Sequence, residues 1–222
     1  MTIGVLVMAY GTPASPDDIE AYYTHIRRGR PPTPEQLDDL RRRYDAIGGL
    51  SPMLERTRAQ VAALQTVLGG GYHVVLGQKH AAPFIEDARV DLQAGVDRII
   101  GLVLAPHYSA LSVGEYEARA APDVMVRSWH LEESLVELLA DRVRDADVDS
   151  DTEVLFTAHS LPARVLEMGD RYPEQLRETA EAVAARAGVE RWRVAWQSAG
   201  RTPEPWLRRG DCSSTQEWVV CK

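Results

Sequence analysis

A chain of 222 residues, 45% of them hydrophobic, is long enough for one large α/β domain or two smaller ones and can bury a core. Its net charge of −8 argues against a general nucleic-acid or anionic-membrane surface. No apolar run approaches the roughly 20 residues that span a bilayer, and the two cysteines, Cys212 and Cys221, sit close together near the end. Neither a disulfide framework nor an iron–sulfur cluster is expected, and the reducing cytosol is the natural location.

In chain order, MTIGVLVMAYGTP lacks the basic start of a signal peptide, and its IGVLVMA reads as a first strand. SPDDIEAYYTHIRRG reads as a helix with Ser15 as cap, Pro16 at the first position and a close on Gly29. TPEQLDDLRRRYDAIGG and SPMLERTRAQVAALQTVLGG follow the same grammar. HVVLGQ is a strand, PFIEDARVDLQAGV a helix, RIIGLVLA and DVMVRSW strands, and EESLVELLADRVRDAD a helix. After the strand EVLFTA comes the helical stretch LPARVLEMGDRYPEQLRETAEAVAARAG, and then the strand RWRVAWQ. Most strands are apolar on both faces, as in a helix-covered parallel sheet, and their alternation with helices predicts a doubly wound α/β architecture. The acidic stretch DADVDSD, 145–151, is the expected linker between a first half, 1–148, and a second, 149–222.

Ligands of such sheets bind at the carboxyl ends of strands. Tyr10 follows the first strand, Lys79-His80 the second, His107 the third, His130 the fourth and His159 the fifth, so four of the six histidines are expected at one edge. Neither G-x-G-x-x-G nor a P-loop is present, and Gly69-Gly70-Gly71 precedes a strand, which excludes the usual dinucleotide and ATP sites. In VLFTAHSLP, Ser160 is placed to cap a helix and Pro162 to sit in its first turn. A helix N-terminus disfavours imidazolium, leaving His159 a neutral base or a ligand for Fe²⁺-type metals; equally, it could bond a backbone group at the sheet end. Tyr10 could donate, accept or ligate, or simply pack at a loop edge. The basic run containing Arg27, Arg28, Arg30, Arg41, Arg42 and Arg43 is either a solvated helix face or a clamp for carboxylates.

Seven stretches together resemble the ferrochelatase family in its own order and spacing: MAYGTP, YYTHIRRGR, RRRYDAIGGLSP, KHAAPFIEDA, LAPHYSALSVGEY, FTAHSLP and WQSAGRTPEPWL. The likeness is greatest to the coproporphyrin III type of Gram-positive bacteria and actinobacteria, which has a tyrosine at the place of Tyr10. The resemblance implies a chelatase-type fold of two Rossmann-like halves and insertion of ferrous iron into coproporphyrin III, giving the iron porphyrin, in haem biosynthesis. Iron is then a substrate, no prosthetic group is implied, and a cytoplasmic monomer is expected. Position by position, His159 matches the metal-side histidine and Tyr10 the residue axial to the product's iron. Arg27, Arg43, Tyr44, Ser51 and Tyr116 match positions that touch the porphyrin or its propionates. After Leu207 the sequence RRGDCSSTQEWVVCK departs from the family pattern, and no residue matches the family's downstream glutamate partner of His159. A truncated or frame-shifted second half is the expectation, and with it weak or absent turnover. The alternatives are a non-catalytic porphyrin- or haem-binding fragment, and a chelatase for another tetrapyrrole or metal.

Overall fold

A computed structural model describes residues 1–146, 149, 151–199 and 203–207. Within these, the chain forms two compact units: residues 1–104 with 116–126, and 105–115 with 127–222. The division does not follow the acidic stretch 145–151, of which residues 147, 148 and 150 lie outside the described residues. The segments 105–115 and 127–146 belong instead with the second unit.

The first unit holds a parallel sheet in the order β2-β1-β3-β4, with β1 (Ile3–Ala9), β2 (Tyr72–Gln78), β3 (Arg98–Val103) and β4 (Val124–Val126). β1 is central and pairs in register along its length, Ile3 facing Tyr72 on one side and Arg98 on the other. Its double-sided apolarity has a direct cause. Val5 and Val7 pack with Val74 against Val61, Leu64 and Leu68 of a long helix, α3 (Met53–Leu68). Leu6, of opposite parity, reaches the surface of Gly77, where the backbone of Ile85 in α4 (Ile85–Gln93) closes in. A methyl group on Gly77 would stand 3.0 Å from the Ile85 Cα, so glycine lets this helix lie directly on the sheet.

Before these, Ser15 caps a 3-10 turn with its hydroxyl on Asp18, leading into α1 (Ile19–Ile26). α2 (Pro34–Ala46) opens with a reciprocal box in which Thr33 accepts from the Gln36 amide and Gln36 from that of Thr33. α5 (Val113–Ala120) was not anticipated, although Ser112 just before it and Glu115 stand at the spacing of a capping box.

The second unit contains α6 (Glu133–Arg144), a two-stranded parallel sheet of β5 (Val154–His159) and β6 (Trp192–Gln197), a short α7 (Arg164–Glu167) and α8 (Tyr172–Ala187). Val136, Ala140 and Val183 form its core, with Phe156 packed beside them. The stretch 161–188, expected as one helix, is interrupted. Gly169 takes φ 71°, and Asp170 turns inward to accept from Ser109 Oγ and from the amides of Ala110 and Tyr172. Ser160 is not a helix cap either: its hydroxyl is buried and donates to the Leu207 carbonyl, and α7 begins only at Arg164. The four-residue α7 is too distant and too short to carry the dipole argument for His159. Among the described residues no helix is long and apolar enough to cross a membrane. Cys212, Cys221 and the divergent tail 208–222 lie outside the described residues, as do 200–202 of the WQSAGRTPEPWL stretch.

Candidate active site

In the first unit the site grows from the carboxyl ends of β1 and β2. The amide of Lys79 donates to the Ala9 carbonyl and that of His80 to the Tyr10 carbonyl, at 2.9 and 3.0 Å, which straps the two strand ends together. Gly11 follows at φ 92°, so close to Ala81 that a Cβ there would lie 3.2 Å from the Ala81 nitrogen; only glycine suits both demands. Tyr10 is thereby held at the rim, 44% exposed, its ring centroid 4.6 Å from that of His80.

Behind it, Tyr22 of α1 donates its hydroxyl to the Gly11 carbonyl at 3.2 Å. Burial pushes the Tyr22 phenol well above its ordinary range, and the nearby phenols of Tyr44, Tyr10 and Tyr116 add to the effect. Three expected porphyrin contacts, Tyr10, Tyr44 and Tyr116, are thus within electrostatic reach of a fourth tyrosine that the sequence did not single out. Lys79 Nζ lies 5.2 Å from the centre of the Tyr116 ring. The Lys79 carbonyl accepts from Arg119 at 2.8 Å, and Arg119 also pairs with Glu86, holding that carboxyl below the usual range.

The expected arginines are less constrained. Arg27 lies 5.5 Å over the Tyr23 ring and donates to the Arg30 carbonyl. Arg43 and Arg42 both pair with Asp39, and Arg41 with Asp38, all along α2. Exposed pairs of this kind hold roughly 0.2–1 kcal/mol, so an incoming carboxylate can displace them. Ser51 accepts from the Met53 amide at the start of α3.

In the second unit, His159 ends β5 with its side chain exposed, and Tyr172 donates its hydroxyl to the His159 carbonyl at 3.2 Å. Tyr172 stacks on Trp196 and meets His107 edge-on. Burial, with a smaller push from Asp170, raises the Tyr172 phenol to about 12. Beside it lies a histidine network. His107 Nε2 is 2.9 Å from Thr179 Oγ1, while His130 Nδ1 meets Ser128 Oγ at 2.6 Å and its Nε2 meets Glu178 at 2.8 Å. Burial, with some help from His130, lowers His107 to about 4, so it is neutral near pH 7. The four strand-end histidines therefore divide, His80 in the first unit and His107, His130 and His159 in the second. Among the described residues no three His, Cys, Asp or Glu side chains form a cluster that could hold a metal ion.

Comparison with known proteins agrees with the motif reading. The ferrochelatase family model matches residues 2–215, a span that continues past Leu207 into residues outside the described set. Coproporphyrin III ferrochelatase 1 of Bacillus cereus (strain ATCC 10987 / NRS 248) is 46% identical over 226 residues, covering 92% of this chain and 73% of the relative. The coproporphyrin III ferrochelatase of Halalkalibacterium halodurans is 46% identical, and that of Anoxybacillus flavithermus 43%, each over 92% of this chain and 72% of the relative. With the match running through both units, the chain belongs to the ferrochelatase family, enzymes that insert a metal ion into a porphyrin.

Proposed function

We propose that this chain inserts Fe²⁺ into coproporphyrin III, with Tyr10 and His159 as its catalytic residues. The observation that carries the reading is the setting of Tyr10: a half-exposed phenol at the end of the central strand, its ring against that of His80 and its charge felt by the buried Tyr22 phenol. The relatives named coproporphyrin III ferrochelatase support the choice of porphyrin. A tetracarboxylate porphyrin also gives Arg27 and Arg43 a partner, since a guanidinium fork binds carboxylates bidentately. Tyr44, Ser51 and Tyr116 complete the contacts, as hydroxyls and ring faces that orient the macrocycle.

The reaction exchanges two pyrrole protons for one Fe²⁺. In this reading His159 serves from the metal side, as proton acceptor or metal donor, and Tyr10 gives its oxygen to the iron of the product. Favouring a bent macrocycle over a flat one directs the nitrogen lone pairs toward the incoming ion. Iron is a substrate, no resident cofactor is required, and the chain acts as a cytoplasmic monomer.

One observation favours a second reading for the 222-residue chain by itself, porphyrin binding with weak turnover or none. Among the described residues the sheet bearing His159 has two strands, with Leu155 half exposed on β5. Two parallel strands are a marginal platform for a catalytic side chain. Absorbance titration with coproporphyrin III, with and without Fe²⁺, separates the readings. In the first, Fe²⁺ converts the bound porphyrin to its iron complex, Tyr10→Phe changes the product's spectrum, and His159→Ala stops conversion while sparing porphyrin binding. No binding of coproporphyrin III would refute both.

A further inference from the structure

A row of four rings runs through the first unit: Tyr10, His80, His25 and Phe84, with successive centroids 4.6, 5.1 and 5.2 Å apart. The inner contact is more than packing. His25 Nδ1 and His80 Nδ1 are 2.9 Å apart, a hydrogen-bond distance that requires one Nδ1 to carry a proton and the other a lone pair. His25 belongs to the last turn of α1 and stacks on Phe84 at 26° between ring planes, while Phe84 caps α4. Two helices thus fix the imidazole of His25, and His25 fixes that of His80. The His80 backbone is strapped to Tyr10, and the bond from His25 bears on its ring. Tyr10 is nearly half exposed, which leaves the His80 ring as a principal wall against which the phenol rests.

We propose that His25 is a positioning residue of the porphyrin site: bonded to His80 and stacked on Phe84, it sets the His80 ring against Tyr10 and thereby the direction from which the Tyr10 oxygen meets iron. The inference rests on the reading of Tyr10 as the phenol that gives its oxygen to the product's iron. It assigns His25 no contact with substrate and no proton to transfer.

Two substitutions separate the bond from the stacking. His25→Phe keeps a ring on Phe84 and removes the bond, while His25→Asn places an amide where Nδ1 stood and restores it. The measurement is titration of the full chain with ferric coproporphyrin III, following affinity and the phenolate-to-iron charge-transfer band, with metal-free coproporphyrin III as control. His25→Phe is expected to weaken the ferric complex about threefold to tenfold, the range of one net hydrogen bond, and to shift the band. His25→Asn stays near wild type, metal-free affinity is unchanged in both, and His25→Phe adds nothing in a Tyr10→Phe background.

A His25→Phe chain that behaves as wild type while Tyr10→Phe loses the band overturns the positioning role and leaves the ligand role standing. A Tyr10→Phe chain with an unaltered spectrum refutes the ligand role, and the positioning role falls with it. Damage by His25→Asn equal to that of His25→Phe shows that the bond is not what acts. A Zn²⁺ titration that shifts the ring resonances of both histidines also overturns the proposal, since the two nitrogens would then be facing a cation.

Discussion

His107 makes the stability of the second unit depend on acid. Its imidazole titrates at about 4 in the folded chain, against an ordinary 6.5, because burial penalises the cation and His130 lies beside it. Between these values the unfolded chain binds the proton and the folded chain does not, so stability is present above the window and is lost as pH falls through it. With those two values the contribution is near zero at pH 7 and costs about 2 kcal/mol at pH 5; partial exposure reduces this to about 1–2 kcal/mol. The perturbation is His107→Gln, whose terminal amide keeps a partner for Thr179 without a titrating group. Urea unfolding at pH 7 and pH 5, followed by tryptophan emission, is the assay. No tryptophan precedes Trp129; Trp129, Trp192, Trp196 and Trp206 belong to the second unit and Trp218 lies outside the described residues, so the first unit contributes no tryptophan to the signal. The wild type should lose about 1–2 kcal/mol more than His107→Gln between the two pH values. Equal losses would show that the proton goes elsewhere.

Three further outcomes are expected. Leu6→Ala removes a fully buried side chain from the central strand and should cost about 2–5 kcal/mol, read by circular dichroism in urea. Gly101→Ala brings a methyl group within 2.8 Å of Met125 Sδ and 2.9 Å of Pro122 Cγ, and overpacking of this sort costs about 1–3 kcal/mol in the same assay. Arg119→Met removes the donor to the Lys79 carbonyl and frees Glu86, loosening the turn that carries Lys79 and His80. Its Kd for coproporphyrin III should rise about threefold or more, and an unchanged Kd would separate that turn from ligand binding.

The six strands among the described residues could be read from the sequence because most carry β-branched and aliphatic residues on both faces, a pattern that burial explains for the central β1. Helix starts were legible where the cap is local, as at Ser15 and Thr33. They failed where the deciding partner is distant. Ser160 has the side chain of a cap, yet its hydroxyl bonds a carbonyl 47 residues away. Asp170 breaks a good helical pattern because it serves Ser109 and Ala110, about 60 residues earlier. The site shows the same limit. Motifs single out Tyr10, Arg27, Arg43 and Tyr116 one at a time, but nothing local says that the Tyr22 phenol feels three others, or that His25 and His80 share a hydrogen bond across 55 positions. The basic run was weighed as a clamp or a solvated face. On α2 the arginines are paired with Asp38 and Asp39 one turn away, a spacing that was readable in the sequence.

The chain changes unit three times, after Leu104, after Glu115 and after Val126. During synthesis, then, β4 leaves the ribosome behind a segment destined for the other unit, and the first sheet acquires its last strand only when residues 105–115 are already out. No single cut separates the two units. A gene fragment ending after Glu115 or after Val126 carries residues 105–115 of the second unit along with the first, so one crossover does not exchange either unit alone.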